Sequence, residues 1–259
     1  LTPEGTLELQ QLANTFNELY FSFHDELQKR MEAERTMREA KEEAELANSA
    51  KSQFLASMSH EIRTPINTIM GYQFLLNKTP LEAKQKEYCE KIGMVANNLL
   101  GLINGILDFS KIEAGKMLLE NVEFDIKQAV HDIYGMIVVE AEKKGLRLVL
   151  KVNDQIPGVL FGDVIRLKQV MLNLLSNAIK FTEKGSISMN LDFTPMDSER
   201  IIISFTVKDT GIGIPKEQQE IIFDYFTQGD ASTTRKYGGT GLGLAISKSI
   251  AELMNGSIS

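Results

Sequence analysis

Three histidines occur in this 259-residue chain, His24, His60 and His131, and His60 alone has neighbours suited to chemistry. On the amphipathic helix this stretch predicts, Met58 and Ile62 face inward. His60 lies about 200° from each, so its imidazole points to solvent. A neutral imidazole near pH 7 is a competent nucleophile, and the adjacent carboxylate of Glu61 can take the ring proton as the attacking nitrogen becomes cationic. Pro65 removes a backbone donor in mid-helix, which predicts a bend just past the imidazole. Thr64 follows one turn later on the same face. The spacing of the three histidines fits neither zinc nor iron, and His24 and His131 read as surface residues.

A second constellation lies over a hundred residues on. Asn173, Asn177 and Lys180 share one flank of a helix, about 100° round from an apolar stripe of Leu167, Met171, Leu174, Ala178 and Phe181. Two side-chain carbonyls can ligate Mg²⁺, and the lysine offsets phosphate charge. By itself such an Asn pair is more often a polar helix edge than a metal site; two glycine clusters downstream shift the balance. Asp209-Thr-Gly211-Ile-Gly213 ends an alternating strand, so its carboxylate can accept from an adenine amino group while the glycines permit close backbone approach. Gly238-Gly239-Thr240-Gly241-Leu242-Gly243 opens a helix whose free amides favour phosphates. Between them a polar stretch carrying Arg235 and Lys236 suits a lid whose charges reach those phosphates. No Gly-Lys-Ser/Thr follows the glycines and no strand-turn-helix unit carries a ribose-binding acid, so neither a Walker loop nor a dinucleotide fingerprint is present.

These groups need elements to hold them. From Leu9 apolar residues recur in three- and four-residue steps through Leu12, Phe16, Leu19 and Phe23, then Ala33 to Met58, a coiled-coil seam with a register change near Leu27 and Met31. A second seam of Tyr88, Ile92, Val95, Leu99, Leu102, Ile106 and Phe109 follows a break at Asn77-Lys-Thr-Pro80, predicting an antiparallel hairpin. Leu55, Ile62, Ile66, Ile69, Leu100, Ile103 and Leu107 lie beside these seams, more apolar surface than a lone hairpin buries, and a second copy would cover them in a four-helix bundle. After Gly115 the pattern becomes α/β: helices Asp125 to Lys144 and Asp163 to Phe181, strands Leu146 to Val152, Ser186 to Phe193 and Ile201 to Val207.

Composition narrows the function classes. A formal charge of −7 without a dense basic block argues against nucleic-acid binding. The single cysteine, Cys89, excludes an intrachain disulfide and favours a reducing compartment. No apolar run reaches the roughly 20 residues of a membrane span, so a membrane attachment would lie in segments outside this stretch. Leu1 stands where an initiator Met would, which suggests a piece of a longer protein.

Phe54-Leu-Ala-Ser-Met-Ser-His60-Glu-Ile-Arg-Thr-Pro65 resembles the H box of HisKA-type sensor histidine kinases. Asn173 to Lys180, Asp209 to Gly213, Phe223 to Phe226 and Gly239 to Gly243 resemble, in order, the N box, first glycine box, F box and second glycine box of the GHKL ATPase superfamily. Glu8 to Leu19 is similar to the second helix of a HAMP linker, with Gln10 where that family usually has glycine. The resemblance implies α plus α/β architecture: a helical hairpin that dimerises into a four-helix bundle, then an α/β sandwich of the GHKL, or Bergerat, type. It places the end of a HAMP-like linker at 1–23, a signalling coiled coil at 24–50, the dimerisation and histidine phosphotransfer domain at 51–115 and the catalytic ATP-binding domain at 120–259, short of its closing hairpin.

By the same resemblance, His60 takes the γ-phosphoryl group of ATP with Glu61 assisting, and Thr64 can position water to dephosphorylate a partner regulator. Asn173, Asn177, Lys180, Asp209, Gly211, Gly213, Arg235, Lys236, Gly239, Thr240, Gly241, Leu242 and Gly243 bind nucleotide, with Asn177 and Asn173 on Mg²⁺. The implied partners are a second copy and the aspartate of a receiver domain, separate or fused downstream. The implied setting is the cytoplasmic portion of an inner-membrane-anchored sensor, and the wording of the H box and of Lys180-Phe-Thr182 is similar to hybrid kinases of bacteria. Clamp-type ATPases of the superfamily lack a histidine hairpin, and a module with a decayed site would not keep Asn177, Asp209 and the glycines. A core whose main output is dephosphorylation stays open.

Overall fold

The computed structural model describes residues 4–197, 200–225 and 241–259. Helix α1 (Glu4–Leu76) runs through two compact units, residues 1–54 and 55–259. In the first unit Leu9, Leu12, Phe16, Leu19 and Phe23 are each 67–70% exposed. The charged stretch beyond them carries i,i+4 pairs Lys29–Asp25, Arg35–Glu39, Arg38–Glu42 and Lys41–Glu45, all open to solvent. Pairs of that kind contribute only about 0.3–0.5 kcal/mol each, so an apolar row at this spacing calls for a second helix.

In the second unit α1 meets α2 (Ala83–Glu113) as an antiparallel hairpin. Arg63 donates to Asn104 at 3.0 Å, Gln73 lies beside Gly93, and Ile66, Ala96 and Ile103 bury together with Met70 and Leu100 around them. The packed line therefore runs through residues expected to lie beside the seam. The first half of the seam stays open: Tyr88, Ile92, Val95 and Leu99 are 42–61% exposed, and Ile62 and Ile69 on α1 are 40% and 48% exposed. An α-helix with two adjacent apolar stripes can turn only one towards a single neighbour, and the narrower stripe of Ala96 and Ile103 allows the closer approach. By length and composition α2 is also apolar enough to cross a bilayer, a possibility the run-length reading missed. Its apolar surface falls in these two stripes, one of them packed on α1, as in a bundle helix.

The α/β part follows: β1 (Val122–Asp125), α3 (Ile126–Lys143), β2 (Arg147–Val152), β3 (Val159–Gly162), α4 (Val164–Phe181), β4 (Ser186–Pro195), β5 (Ile201–Asp209) and α5 (Gly243–Leu253). Strands β2, β4 and β5 form one sheet with β4 central, parallel to β2 and antiparallel to β5. Alternation along β4 buries Ile187, Met189 and Leu191 completely against α3 and α4, where Ile126, Ile133, Met171 and Leu175 are equally buried. Each such side chain contributes about 1.5–3 kcal/mol. The expected helices and long strands are present within one or two residues, whereas β1 and β3, an antiparallel pair of four residues each, were not anticipated.

Both short strands lead directly into capped helices. Asp125 accepts from the amides of Lys127 and Gln128, and buried Asp163 accepts from Arg166 N at 2.9 Å and Glu120 N at 3.1 Å. Asp163→Ala should lower the unfolding free energy of the α/β part by about 1–2 kcal/mol, with Asp163→Asn retaining most of it; urea melts of the three proteins make the comparison.

Candidate functional site

His60 is exposed on α1, and the structure corrects the reason. The inward line runs through Ser59, 3% exposed, and Ile66, 4% exposed, seven residues apart, rather than through Met58 and Ile62. His60 lies about 100° from Ser59, which still carries the imidazole off the packed face. Glu61 is exposed beside it. The Thr64 hydroxyl donates to the carbonyl of His60 at 3.1 Å, and Thr68 repeats the contact onto Thr64 at 3.0 Å. The helix continues through Pro65, which leaves the Glu61 carbonyl without its i+4 amide, and hydroxyl back-bonding eases the bending of such a turn.

Helix α4 positions the second group. Its buried line is Met171, Leu175, Ala178 and Ile179, one position round from the stripe read in the sequence. Asn173, Asn177 and Lys180 then fall within roughly 60° of one another, almost opposite that line. They are nonetheless half-buried, because α5 lies along the same flank. Asn173 Nδ2 donates to Ser247 Oγ at 2.9 Å, and its Oδ1 lies against Gly243, where any Cβ would collide with it. Asn177 makes no side-chain hydrogen bond to the described residues. Burial lowers the pKa of Lys180 from its ordinary value, and its ammonium sits 4.8 Å from the centre of the Phe181 ring.

The first glycine cluster is anchored on the end of α4. Asp209, the last residue of β5, accepts from Gly211 N at 2.8 Å and faces the hydroxyl of fully buried Thr182 at 3.5 Å. A side chain at Gly211 would run into the Phe181 carbonyl, which itself accepts from Ile212 N at 3.4 Å. Thr210 Oγ1 accepts from Ser186 N at 3.0 Å on the other side, and Gly213 takes a positive φ of 69°. Gly241 has φ 68° and leads into α5, whose first residue is Gly243. Leu242 is 2% exposed, packed with Met117, Ile246 and Ile250. Arg235, Lys236, Gly239 and Thr240 lie outside the described residues, as does Phe226 of the F box.

Among the described residues no hydrogen bond or ion pair links His60, Glu61 or Thr64 to the Asn177 and glycine group. The hairpin and the α/β part are joined elsewhere. Asp108 on α2, 9% exposed, receives Arg166 Nη1 on both oxygens at 3.0 Å and Gln169 Nε2 at 2.8 Å, while Arg166 also donates to Gln169 Oε1 at 2.7 Å. Gly105 lets Leu242 and Ile246 pack against α2, and Phe109 meets the Tyr225 ring at 4.5 Å between centroids. A cleft of about 600 Å³ lined by Arg63, Asn104, Asp108, Lys111 and Arg166 opens at this junction, away from Asn177. The sequence reading missed Asp108, although an acid interrupting the apolar run of Ile106, Leu107 and Phe109 was a visible signal. Ser247, inside an apolar helix, gave none.

Two family models match the chain: "His Kinase A (phospho-acceptor) domain" over residues 50–115 and "Histidine kinase-, DNA gyrase B-, and HSP90-like ATPase" over residues 162–259. Signal transduction histidine-protein kinase BarA of Escherichia coli K12 is 38% identical over 97% of this chain and 29% of its own length. Sensor protein GacS of Pseudomonas syringae is 41% identical over 100% of this chain and 30% of its own length, and Hybrid signal transduction histidine kinase A of Dictyostelium discoideum 45% over 84% and 10%. The crystal structure of full-length ShkA in complex with AMPPNP superposes with a TM-score of 0.62 at 32% identity, over 78% of this chain and 41% of that one. The chain thus spans less than a third of the length of these curated relatives.

Removing either member of the junction pair leaves the other shielded from water without its ion-pair partner, with only Gln169 to hold it. Asp108→Ala and Arg166→Ala should each destabilise the second unit by about 1–3 kcal/mol, and the double variant by clearly less than the sum; a double-mutant cycle in thermal unfolding reads the coupling.

Proposed function

This chain belongs to the HisKA-type histidine kinases with a GHKL-superfamily ATP-binding domain, and we propose that it is a sensor-kinase core that phosphorylates its own His60 from ATP. The observation that carries the reading is an outward imidazole beside a carboxylate on a helical hairpin that shares one compact unit with α4 and the glycine loops and is joined to that part through Asp108–Arg166 and Gly105–Leu242. One ring nitrogen of His60 attacks the γ-phosphorus of ATP, the new N–P bond forming as the bond to the ADP oxygen breaks. Glu61 receives the proton from the ring. Asp209 takes the adenine amino group, Gly211 and Gly213 admit the base to the backbone, and the amides from Gly241 to Gly243 face the phosphates.

Mg²⁺ would offset phosphate charge and hold the phosphates in line. Asn177 fits it well, a half-buried amide oxygen with no hydrogen bond to the described residues; Asn173 is the second candidate, its oxygen already against Gly243. Lys180, partly desolvated, supplies positive charge nearby. Arg235, Lys236, Gly239 and Thr240 are assigned to the phosphates by motif position.

The exposed row Tyr88, Ile92, Val95 and Leu99 favours a second copy, completing a four-helix bundle, and residues 51–115 serve as the dimerisation and phosphotransfer domain before a catalytic domain at 120–259. The phosphohistidine passes its group to the aspartate of a receiver domain, and the larger protein is a hybrid sensor anchored in the inner membrane. Thr64, one turn from His60, serves regulator dephosphorylation once its hydroxyl leaves the His60 carbonyl.

His60→Gln should abolish acid-labile, base-stable labelling from γ-labelled ATP while nucleotide binding persists; undiminished labelling would sink the assignment. Asn177→Ala should lose Mg²⁺-dependent nucleotide binding with the dimer intact by light scattering. Mixing the two variants distinguishes transfer within a protomer from transfer between protomers, because only the latter restores labelling.

A further inference from the structure

We infer that Lys144, at the C-terminal end of α3 and absent from every motif, is a positioning residue that sets the nucleotide site by clamping the C-terminal end of α4. The inference rests on the nucleotide reading above. A helix leaves its last four carbonyls without intrahelical donors. In α4 these belong to Ala178, Ile179, Lys180 and Phe181. Thr182 N serves the first at 3.1 Å and Ile212 N the last at 3.4 Å. Lys144 Nζ serves both in the middle, Ile179 at 2.7 Å and Lys180 at 3.3 Å.

The position of Lys144 is itself fixed. It is the C-cap of α3; Gly145, at φ 68°, turns the chain, and Leu146, 4% exposed, donates back to Ala141 at 2.9 Å. Its ammonium therefore reaches α4 from a rigid base and meets the negative end of that helix, where a cation is favoured. Everything downstream depends on that end. Asn177 and Lys180 lie in the last turns of α4, Gly211 rests on the Phe181 carbonyl, and Asp209 faces Thr182. Without the ammonium, two carbonyls turn outward to water, and the last turn and the Asp209–Gly213 loop lose their common reference.

Lys127 provides the control: its Nζ likewise donates to a backbone carbonyl, Asp154 at 2.8 Å, with no link to α4. In the full dimeric chain, Lys144→Met should weaken fluorescent-nucleotide binding and raise KM for ATP in His60 labelling by about tenfold, with little change in the saturating rate. Amide exchange of the ligand-free protein should quicken at residues 179–182 and 210–213. Lys144→Arg should restore both readouts, and Lys127→Met should leave nucleotide affinity unchanged. Equal losses in Lys144→Met and Lys127→Met, or unaltered exchange at 210–213 in Lys144→Met, would overturn the clamp. Failure of the wild type to bind nucleotide would instead overturn the functional reading, and the exchange data would still judge the clamp.

Discussion

Helix α4 has to bury two nearly opposite faces and still present polar groups between layers, and the rest of the second unit is arranged around that demand. Met171, Leu175, Ala178 and Ile179 are held by the sheet and α3, while Val170 packs from the other side with Leu242, Ile246 and Ile250. A helix covered on one face alone would leave Asn173, Asn177 and Lys180 in bulk water, where an amide oxygen or ammonium has little to add to a solvated phosphate. Covered by α5, they become half-buried, and the lowered pKa of Lys180 records that desolvation. The glycines follow from the same constraint. Gly243 allows α5 to approach the Asn173 amide and Gly211 allows the loop to approach the end of α4, so their value lies in contact distance more than in flexibility.

The hairpin follows a different logic. Its internal contact is thin, built from Ile66, Ala96 and Ile103, and a larger apolar row faces outward. Such a pair is weak alone and strong in a bundle, because each helix then buries both stripes. What ties it to the α/β part is mixed: an apolar seat around Gly105, Leu242 and Ile246, and one acid–guanidinium–amide cluster at Asp108. Apolar contact tolerates sliding, whereas Asp108, Arg166 and Gln169 satisfy one another in one arrangement only, so the polar cluster defines the register of the junction.

Much of this was legible in the residues. Long elements were, since periodicity over a dozen or more positions is a strong signal: α3, α4, β4 and β5 lie where the pattern put them. Strands β1 and β3 were not, because four residues give no period, and β1 ends in, and β3 ends just before, the aspartate that caps the next helix. Stripe positions were off by about one residue on α1 and α4, since a helix with two apolar stripes has no single apolar face to find. The motifs singled out His60, Asn177, Asp209 and the glycines, and the structure adds Thr182, Ser247, Lys144 and Asp108, polar residues whose partners are 27 to 74 positions away. No local pattern encodes a pairing across that separation.

The outward imidazole of His60 and the back-bonded hydroxyl of Thr64 bring these two logics together. In a continuous helix the Thr64 hydroxyl is held at the His60 carbonyl, while Pro65 has already removed the amide that would have served Glu61. The turn carrying the His60 ring is thus one hydrogen bond short and supported by a side chain that can leave. On the inward side of the same turn, the Ser59 hydroxyl is buried with no hydrogen-bond partner among the described residues, so packing there gives the straight conformation little polar reinforcement. A helix deficient on both faces at one turn bends there at lower cost than at a fully hydrogen-bonded turn.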